Sequence, residues 1–395
     1  MSIDPQIFLA MDNSFAAKRW TKPDEWTRII RDMGIRHIEA SADTEADPLY
    51  CGFEYLSQWL QEVREACAAH GVTVDNFYTG YTTYRTLGLA HPDERIRVRV
   101  LNDWLKVQAR IAVQISAGLG FYIHAISEST LQNPEAYSAT IDRLYDALAE
   151  ISRFAGEQGP VPIVVEQMYS PQQPPWTIEG AFEYLREVSG RSGYPAYIAL
   201  DTGHHTGQHR FLRPGRRAIE RSLAGQGPVP YLGPDTAYAL FEETQGRSPA
   251  ARADAATRIE AEMDRYPYLF AGKKDGDLYG WLAELGCYSP ILHLQQNDGR
   301  SSSHLPFTAA NNEAGIVNPL KVLEAISSSY RAGERAGMPP RCTRIFLTFE
   351  IFTHTFDRPR DILPGLEESV RYWRQWVPED GTSLSALLAR QSQLS

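Results

Sequence analysis

Four short apolar runs of this sequence each carry, at or near their C-terminal end, a side chain able to bind a metal ion. They are residues 161–167 with Glu166, 197–201 with Asp201, 291–298 with His293, and 345–350 with Glu350. Apolar runs of this length, bounded by Gly and Pro, have the pattern of fully buried strands. If the strands are parallel neighbours, the four side chains converge at one end of the sheet. Two Glu, one Asp and one His form an oxygen-rich, moderately hard donor set. It suits Mn²⁺, Mg²⁺ or Co²⁺ better than a structural zinc, which takes Cys and His. Singly, each residue also reads as an ordinary polar strand end, since acids are mostly exposed. Their recurrence at one place in consecutive repeats favours the metal site.

The elements that must position these groups alternate from the N-terminus. Strands are predicted at 7–12, 37–40, 72–78 and 121–125, and helices at 23–33, 53–69, 92–117 and 134–157. Thr21 is the expected N-cap of the first helix and Gly34 its stop. A helix over 177–187, capped by Thr177, separates the first two acid-tipped strands. Asp201 and His293 then lie about ninety residues apart, where a βα repeat takes roughly thirty. The excess, about 225–274, reads as an insertion of the kind that sits on barrel loops as a lid or subunit contact. The last repeat has helices at 319–333 and 363–376, and the tail, 378–395, reads as a peripheral or subunit-contact segment. Such alternation closes as a (β/α)8 barrel or stays open as a doubly wound sheet. No Gly-x-Gly-x-x-Gly follows the first strand, and in an open sheet the ends of strands five to eight would not face one point. The expectation is one α/β domain over 1–395, a (β/α)8 TIM barrel with an insertion between strands six and seven.

Composition sets the outer limits. Lys and Arg total 39 against 49 Asp and Glu, a net charge of −10 with no basic tract, which argues against nucleic acid or an anionic membrane as partner. No apolar run reaches the roughly 20 residues that span a bilayer. Cys51, Cys67, Cys287 and Cys342 show no Cys-x-x-Cys spacing and read as reduced thiols, and no signal peptide is visible; the expected location is cytoplasmic.

The same residues carry a family resemblance. The Glu166 strand, Asp201-Thr202-Gly203-His204, His293 followed by Asn297-Asp298-Gly299-Arg300, and Glu350 resemble the xylose-isomerase-like barrels of sugar and sugar-phosphate isomerases and epimerases. The resemblance covers roughly residues 7–375, apart from 225–274. It implies that Glu166, Asp201, His293 and Glu350 hold one divalent ion, Mn²⁺ first, as in the ketose 3-epimerases of that superfamily. It implies further that Glu166 and Glu350 exchange a proton with the substrate carbon from opposite faces, and that His204, rather than His205, and Arg300 touch substrate. The chain departs from the pattern at Gln296, where relatives often carry Glu, which speaks against a second metal. Independently, taking a proton from a carbon beside a carbonyl needs a base, a returning acid and a stabiliser for the enediolate. A divalent ion supplies the last of these, and two neighbouring carboxylates can have their proton affinities pulled apart.

Other residues carry two readings each. Trp176, in a Pro-rich loop, either packs on a sugar face or fastens the loop. His124 closes the fourth strand and reaches the site or is structural, and the same choice holds for Glu39 and Asp12. His304, after Ser301-Ser302-Ser303, grips substrate hydroxyls or a phosphate, or lies in a solvated loop. Arg213, Arg216 and Arg217 bind an acidic substituent or form a surface charge run. The leading function is a metal-dependent isomerase or epimerase of a small ketose, keto-sugar or sugar phosphate, working as a homo-oligomer (dimer or tetramer). The alternative is a lyase of the same superfamily: a dehydratase, an oxo-sugar-acid decarboxylase or a C-glycoside-cleaving enzyme. An endonuclease IV-like phosphodiesterase would need more His ligands and a basic face. A sugar-binding barrel would not need two carboxylates on one metal.

Overall fold

Alternating apolar strands and capped helices fold into one closed parallel barrel in the computed structural model, which describes residues 3–80, 86–123, 125–159 and 161–392. The strands are β1 (Gln6–Asp12), β2 (His37–Ser41), β3 (Thr73–Thr79), β4 (Gly118–Phe121), β5 (Ile163–Glu166), β6 (Ala196–Asp201), β7 (Ile291–Leu294) and β8 (Arg344–Phe349). Each pairs in parallel with the next, and β8 pairs with β1 to close the ring. Helices surround it, and their apolar faces form a continuous core against the outer faces of the strands.

The lumen is filled in two layers. Below lies a small apolar plug of Phe8, Ala10, Val164, Ala199, Ile291 and Phe346, with the Phe8 and Phe346 rings stacked at 5.1 Å. Above it, inward positions towards the C-terminal ends of the strands carry polar side chains. The period of two in each strand explains this. Asp201 pairs directly with His293 and Glu166 pairs with Ala199, two residues before Asp201; Glu350 follows Thr348, the partner of His293. All four therefore share inward parity.

Several local expectations change. β4 lies at Gly118–Phe121, earlier than 121–125. Its glycines are needed for close approach: a Cβ on Gly120 would stand 2.4 Å from Asn76 Nδ2 and 2.6 Å from the Tyr78 ring. The long helix at 92–117 is α only over Glu94–Arg99 and Lys106–Ile115, with a π-helical turn at Val100–Leu105 between them. The first helix is capped at Lys22 rather than Thr21, with Pro23 at its first position. The tail adds a short strand, β9 (Thr382–Ser383), antiparallel to the start of β1, and Asp380 accepts the Leu9 N–H at 2.9 Å. Between β6 and β7 the chain forms helices at Arg216–Leu223, Asp235–Thr244 and Pro249–Asp264. This segment docks on the loop after β4, where the Tyr268 hydroxyl donates to Leu131 O at 2.7 Å. All four cysteines are free, and among the described residues no helix is long and apolar enough to cross a membrane.

Candidate active site

Glu166, Asp201, His293 and Glu350 are all buried, and one ligand atom from each lies within 4.8 Å of the others. Their surroundings are strongly acidic. Asp12, Glu39, Glu166, Asp201 and Glu350 are buried at this end of the barrel, and no Lys or Arg stands among the buried polar residues described. Buried carboxylates without a compensating charge are costly. Among the described residues, the only basic groups in the cluster are imidazoles. His293 Nδ1 lies 2.9 Å from Glu166 Oε1 and 3.5 Å from Glu350 Oε2, and its Nε2 lies 2.8 Å from Glu39 Oε1. Burial disfavours the imidazolium, but the Glu350 and Glu39 charges outweigh it and hold the His293 pKa well above its ordinary value.

The two glutamates differ in environment. Glu166 Oε2 accepts the Tyr78 hydroxyl, and its Oε1 lies 3.8 Å from His204 Nδ1 as well as facing His293. Burial raises its pKa, but the His204 charge and the His293 hydrogen bond more than reverse this and hold it below the usual value. Glu350 Oε2 is buried without a hydrogen-bond partner, although His304 Nδ1 is 3.4 Å away. Burial, only partly offset by His293, pushes the Glu350 pKa well above the usual value. Asp201 Oδ1 accepts the backbone N–H groups of Gly203 and His204 at 2.6 and 3.0 Å, and the Gln295 amide donates to both of its oxygens.

These residues fit a divalent cation. An orphaned carboxylate oxygen at Glu350, an excess of buried negative charge and three oxygen donors with one imidazole match what Mn²⁺, Mg²⁺ or Co²⁺ takes.

A cavity of about 390 Å³ opens beside the cluster, a volume suited to a small ligand. Glu166 and Glu350 line it together with His204, His304, Tyr169 and Phe352. His204 Nδ1 donates to Gln167 O at 2.6 Å. His304 adopts a left-handed backbone (φ 47°), and its ring stacks on Phe352 at 3.8 Å. Burial lowers its pKa to about 4, so the ring is neutral near pH 7.

Other sequence candidates lie elsewhere. Arg300 is 89% exposed, with Asp298 3.8 Å away, and it does not line this cavity. Trp176 is buried edge-on against Phe211 and lines a separate cavity of about 650 Å³ with Tyr137 and Tyr268, so it fastens its loop there. His124 lies outside the described residues. Arg213 pairs with Asp264, and Arg216 with Glu220 and Glu260, at the surface. Asp12 caps the turn Asn13–Ala16. Gln296 turns away from the cluster: its amide donates to Val317 O, and its carbonyl accepts Val317 N–H. Sequence reading missed Tyr78, Asn76 and Gln295. Gln295 had a usable signal, since it shares inward parity with His293 two residues before it.

Comparison with known proteins follows the same lines. D-erythrulose 1-phosphate 3-epimerase of Brucella abortus (strain 2308) is 27% identical over 129 residues, 33% of this chain and 38% of that enzyme. The match thus spans less than half of that relative. A Rhodospirillum rubrum protein assigned as a xylose isomerase superposes with a TM-score of 0.66 at 18% identity, over 93% of this chain and 99% of its own. D-psicose 3-epimerase of Clostridium cellulolyticum H10, solved with D-tagatose, gives 0.52 at 10% identity over 94% and 98%. At these identities the likeness is one of fold. A family model for xylose isomerase-like TIM barrels matches residues 27–227, just over half of the 395-residue chain. The chain belongs to the xylose isomerase-like TIM barrel family.

Proposed function

We propose that this chain is a divalent-metal-dependent epimerase or isomerase of a small ketose or ketose phosphate, with Mn²⁺ as the first candidate ion. The observation that carries the reading is the placement of Glu166 and Glu350. Both belong to the four-residue cluster and both line the adjoining cavity. The partial match to a ketose-phosphate 3-epimerase supports the substrate class.

Glu166, Asp201, His293 and Glu350 would hold the cation, which when bound polarises a substrate carbonyl and its neighbouring hydroxyl. Glu166 accepts the proton from the carbon beside that carbonyl. The Tyr78 hydroxyl fixes the orientation of the Glu166 carboxylate. Glu350, in its protonated form, returns a proton to the same carbon from the other face. Glu166 ends protonated and Glu350 ionised, so exchange with solvent or the reverse reaction resets the pair. His204 Nε2 and the Ser302–His304 turn bind hydroxyls, while Tyr169 and Phe352 shield the cavity from water.

The test is proton NMR in deuterated water with metal-loaded protein and a panel of ketoses and ketose 1-phosphates. Deuterium entering at a single carbon, with appearance of the epimer or isomer, is the expected result. No exchange into any of them, from a chain that binds metal, would reject the activity.

A further inference from the structure

We infer that Glu39 is a positioning residue for the metal centre, holding the far ring nitrogen of His293 and thereby fixing the tautomer with which that histidine meets a cation. The inference rests on the reading of Glu166, Asp201, His293 and Glu350 as ligands.

Glu39 stands on β2 and His293 on β7, on different arcs of the barrel wall, so the two side chains meet across the lumen. Glu39 is 1% exposed and His293 fully buried. The two nitrogens of His293 face different partners: Nδ1 points into the ligand cluster, and Nε2 lies 2.8 Å from Glu39 Oε1. A neutral imidazole has a lone pair on only one nitrogen. For Nδ1 to coordinate, Nε2 must carry the hydrogen, and a buried N–H without an acceptor is costly. The Glu39 carboxylate is that acceptor. As a charged acceptor it also makes the coordinating nitrogen a stronger donor.

The clamp is itself supported. Asn76 Nδ2 donates to Glu39 Oε2 at 3.1 Å. Asn76 stands opposite Glu39 because the β2–β3 register shifts between Ile38 and Glu39. Room for Asn76 comes from β4: a Cβ on Gly118 would stand 2.7 Å from its Oδ1, and one on Gly120 2.4 Å from its Nδ2. A bulge, two glycines and an amide therefore converge on one buried carboxylate whose acceptor faces a ligand histidine. An apolar residue at position 39 would fill the lumen without that desolvation cost.

The experiment uses the full chain stripped of metal and titrated with Co²⁺, read by visible absorption and by competition with a chromophoric chelator. Wild type, Glu39→Gln and Glu39→Ala are compared, with thermal melts of each metal-free protein. Wild type should bind one equivalent. Glu39→Ala should bind about 10–100-fold more weakly, with Glu39→Gln in between because its carbonyl still accepts the Nε2 hydrogen. Melting without metal should fall in Glu39→Ala, since His293 Nε2 and Asn76 Nδ2 lose their acceptor; a purely structural role predicts the same fall with unaltered Co²⁺ affinity, so the affinity decides. If Glu39→Ala does not fold, the near-isosteric Glu39→Gln carries the test. Wild-type affinity in the variants that fold overturns the role of Glu39 alone, whereas a wild-type chain that binds no metal overturns the ligand reading beneath it.

Discussion

Replacing Glu350 and Glu166 separately by Gln should give two variants alike in lost turnover and unlike in stability. Each substitution keeps a carbonyl oxygen for a cation and removes a proton carrier. The expected fall in kcat is about 10²–10⁴ for each, the contribution of a positioned acid or base, or roughly 3–5 kcal/mol of barrier. Their folding should diverge because of what each oxygen touches. Glu350 Oε2 has no hydrogen-bond partner, so Glu350→Gln forfeits none there and relieves a buried carboxylate; the metal-free variant should melt at or above wild type. Glu166 accepts the Tyr78 hydroxyl and faces His293 Nδ1 at 2.9 Å, so Glu166→Gln should lose about 1.5–3 kcal/mol for a charge-assisted bond. Calorimetry of the metal-free proteins and deuterium wash-in by NMR read both quantities. One variant should still exchange the substrate proton with solvent without completing the reaction, because the first abstraction survives when only the returning acid is lost. Near-normal turnover in both would refute the two-glutamate reaction. Equal destabilisation of the two would refute the assignment of their environments.

Removing metal with a chelator should abolish activity. Restoring Mn²⁺ at 100 times its Kd should stabilise the fold by about 2.7 kcal/mol, a melting shift of about 3 °C for a chain of this size; activity in protein free of metal by elemental analysis would reject this. Tyr78→Phe deletes the hydroxyl donor to Glu166 Oε2 and should lower kcat about 10–100-fold while metal content stays at wild-type level by elemental analysis. Arg300→Ala should leave both KM and kcat unchanged in steady-state assays, because the side chain is 89% exposed. Glu45 accepts both the Trp26 and Trp59 indole N–H groups, and burial raises its pKa from 4.5 to about 7. A carboxyl raised in the folded state contributes fully below pH 4.5, and that contribution is lost as pH rises through 7. Glu45→Gln should therefore gain on wild type between pH 5 and pH 8, by about 3 kcal/mol at the upper end, as read by urea unfolding at each pH.

The parts of this fold legible in the sequence are those governed by local periodicity. Strands β5 to β8 stand out as apolar runs ending in chemistry because they are buried on both faces and tolerate polar side chains only at their tips. Their inward parity follows from counting by two, which is why Glu166, Asp201, His293 and Glu350 could be placed together before any coordinates. His204 and His304 were legible for a similar reason, since each follows a ligand strand closely enough to be held at its mouth. Arg300 lies outside the cavity because chain proximity to His293 does not fix direction: it follows a turn with Gly299 at φ 80°, and its side chain is 89% exposed.

What stayed hidden depends on contacts between distant strands. Glu39 pairs with Asn76 rather than Asp75 only because of the β2–β3 register shift, and a bulge exchanges which residues of a strand face inward. No periodicity in residues 73–79 announces it, so Asn76 and Tyr78 passed as ordinary strand residues. β4 was misplaced for the complementary reason: the expected helix ran to 117 and the expected strand began at 121, whereas Gly118 and Gly120 are strand glycines kept bare for Asn76 and Tyr78. The two errors are one error. The polar layer of the lumen is built by side chains reaching from β2 and β3 to β5 and β7, above an apolar plug that closes the barrel beneath. Strand-by-strand reading finds the groups that end strands, but the residues that aim them belong to pairings across the barrel. The same geometry explains why the acids at this end can be buried at all. Glu39, Glu166 and Asp201 each take a donor from another strand or an imidazole, Asp12 takes the Ser14 N–H of its own turn, and Glu350 Oε2 has imidazoles at 3.4 and 3.5 Å but no hydrogen-bond partner.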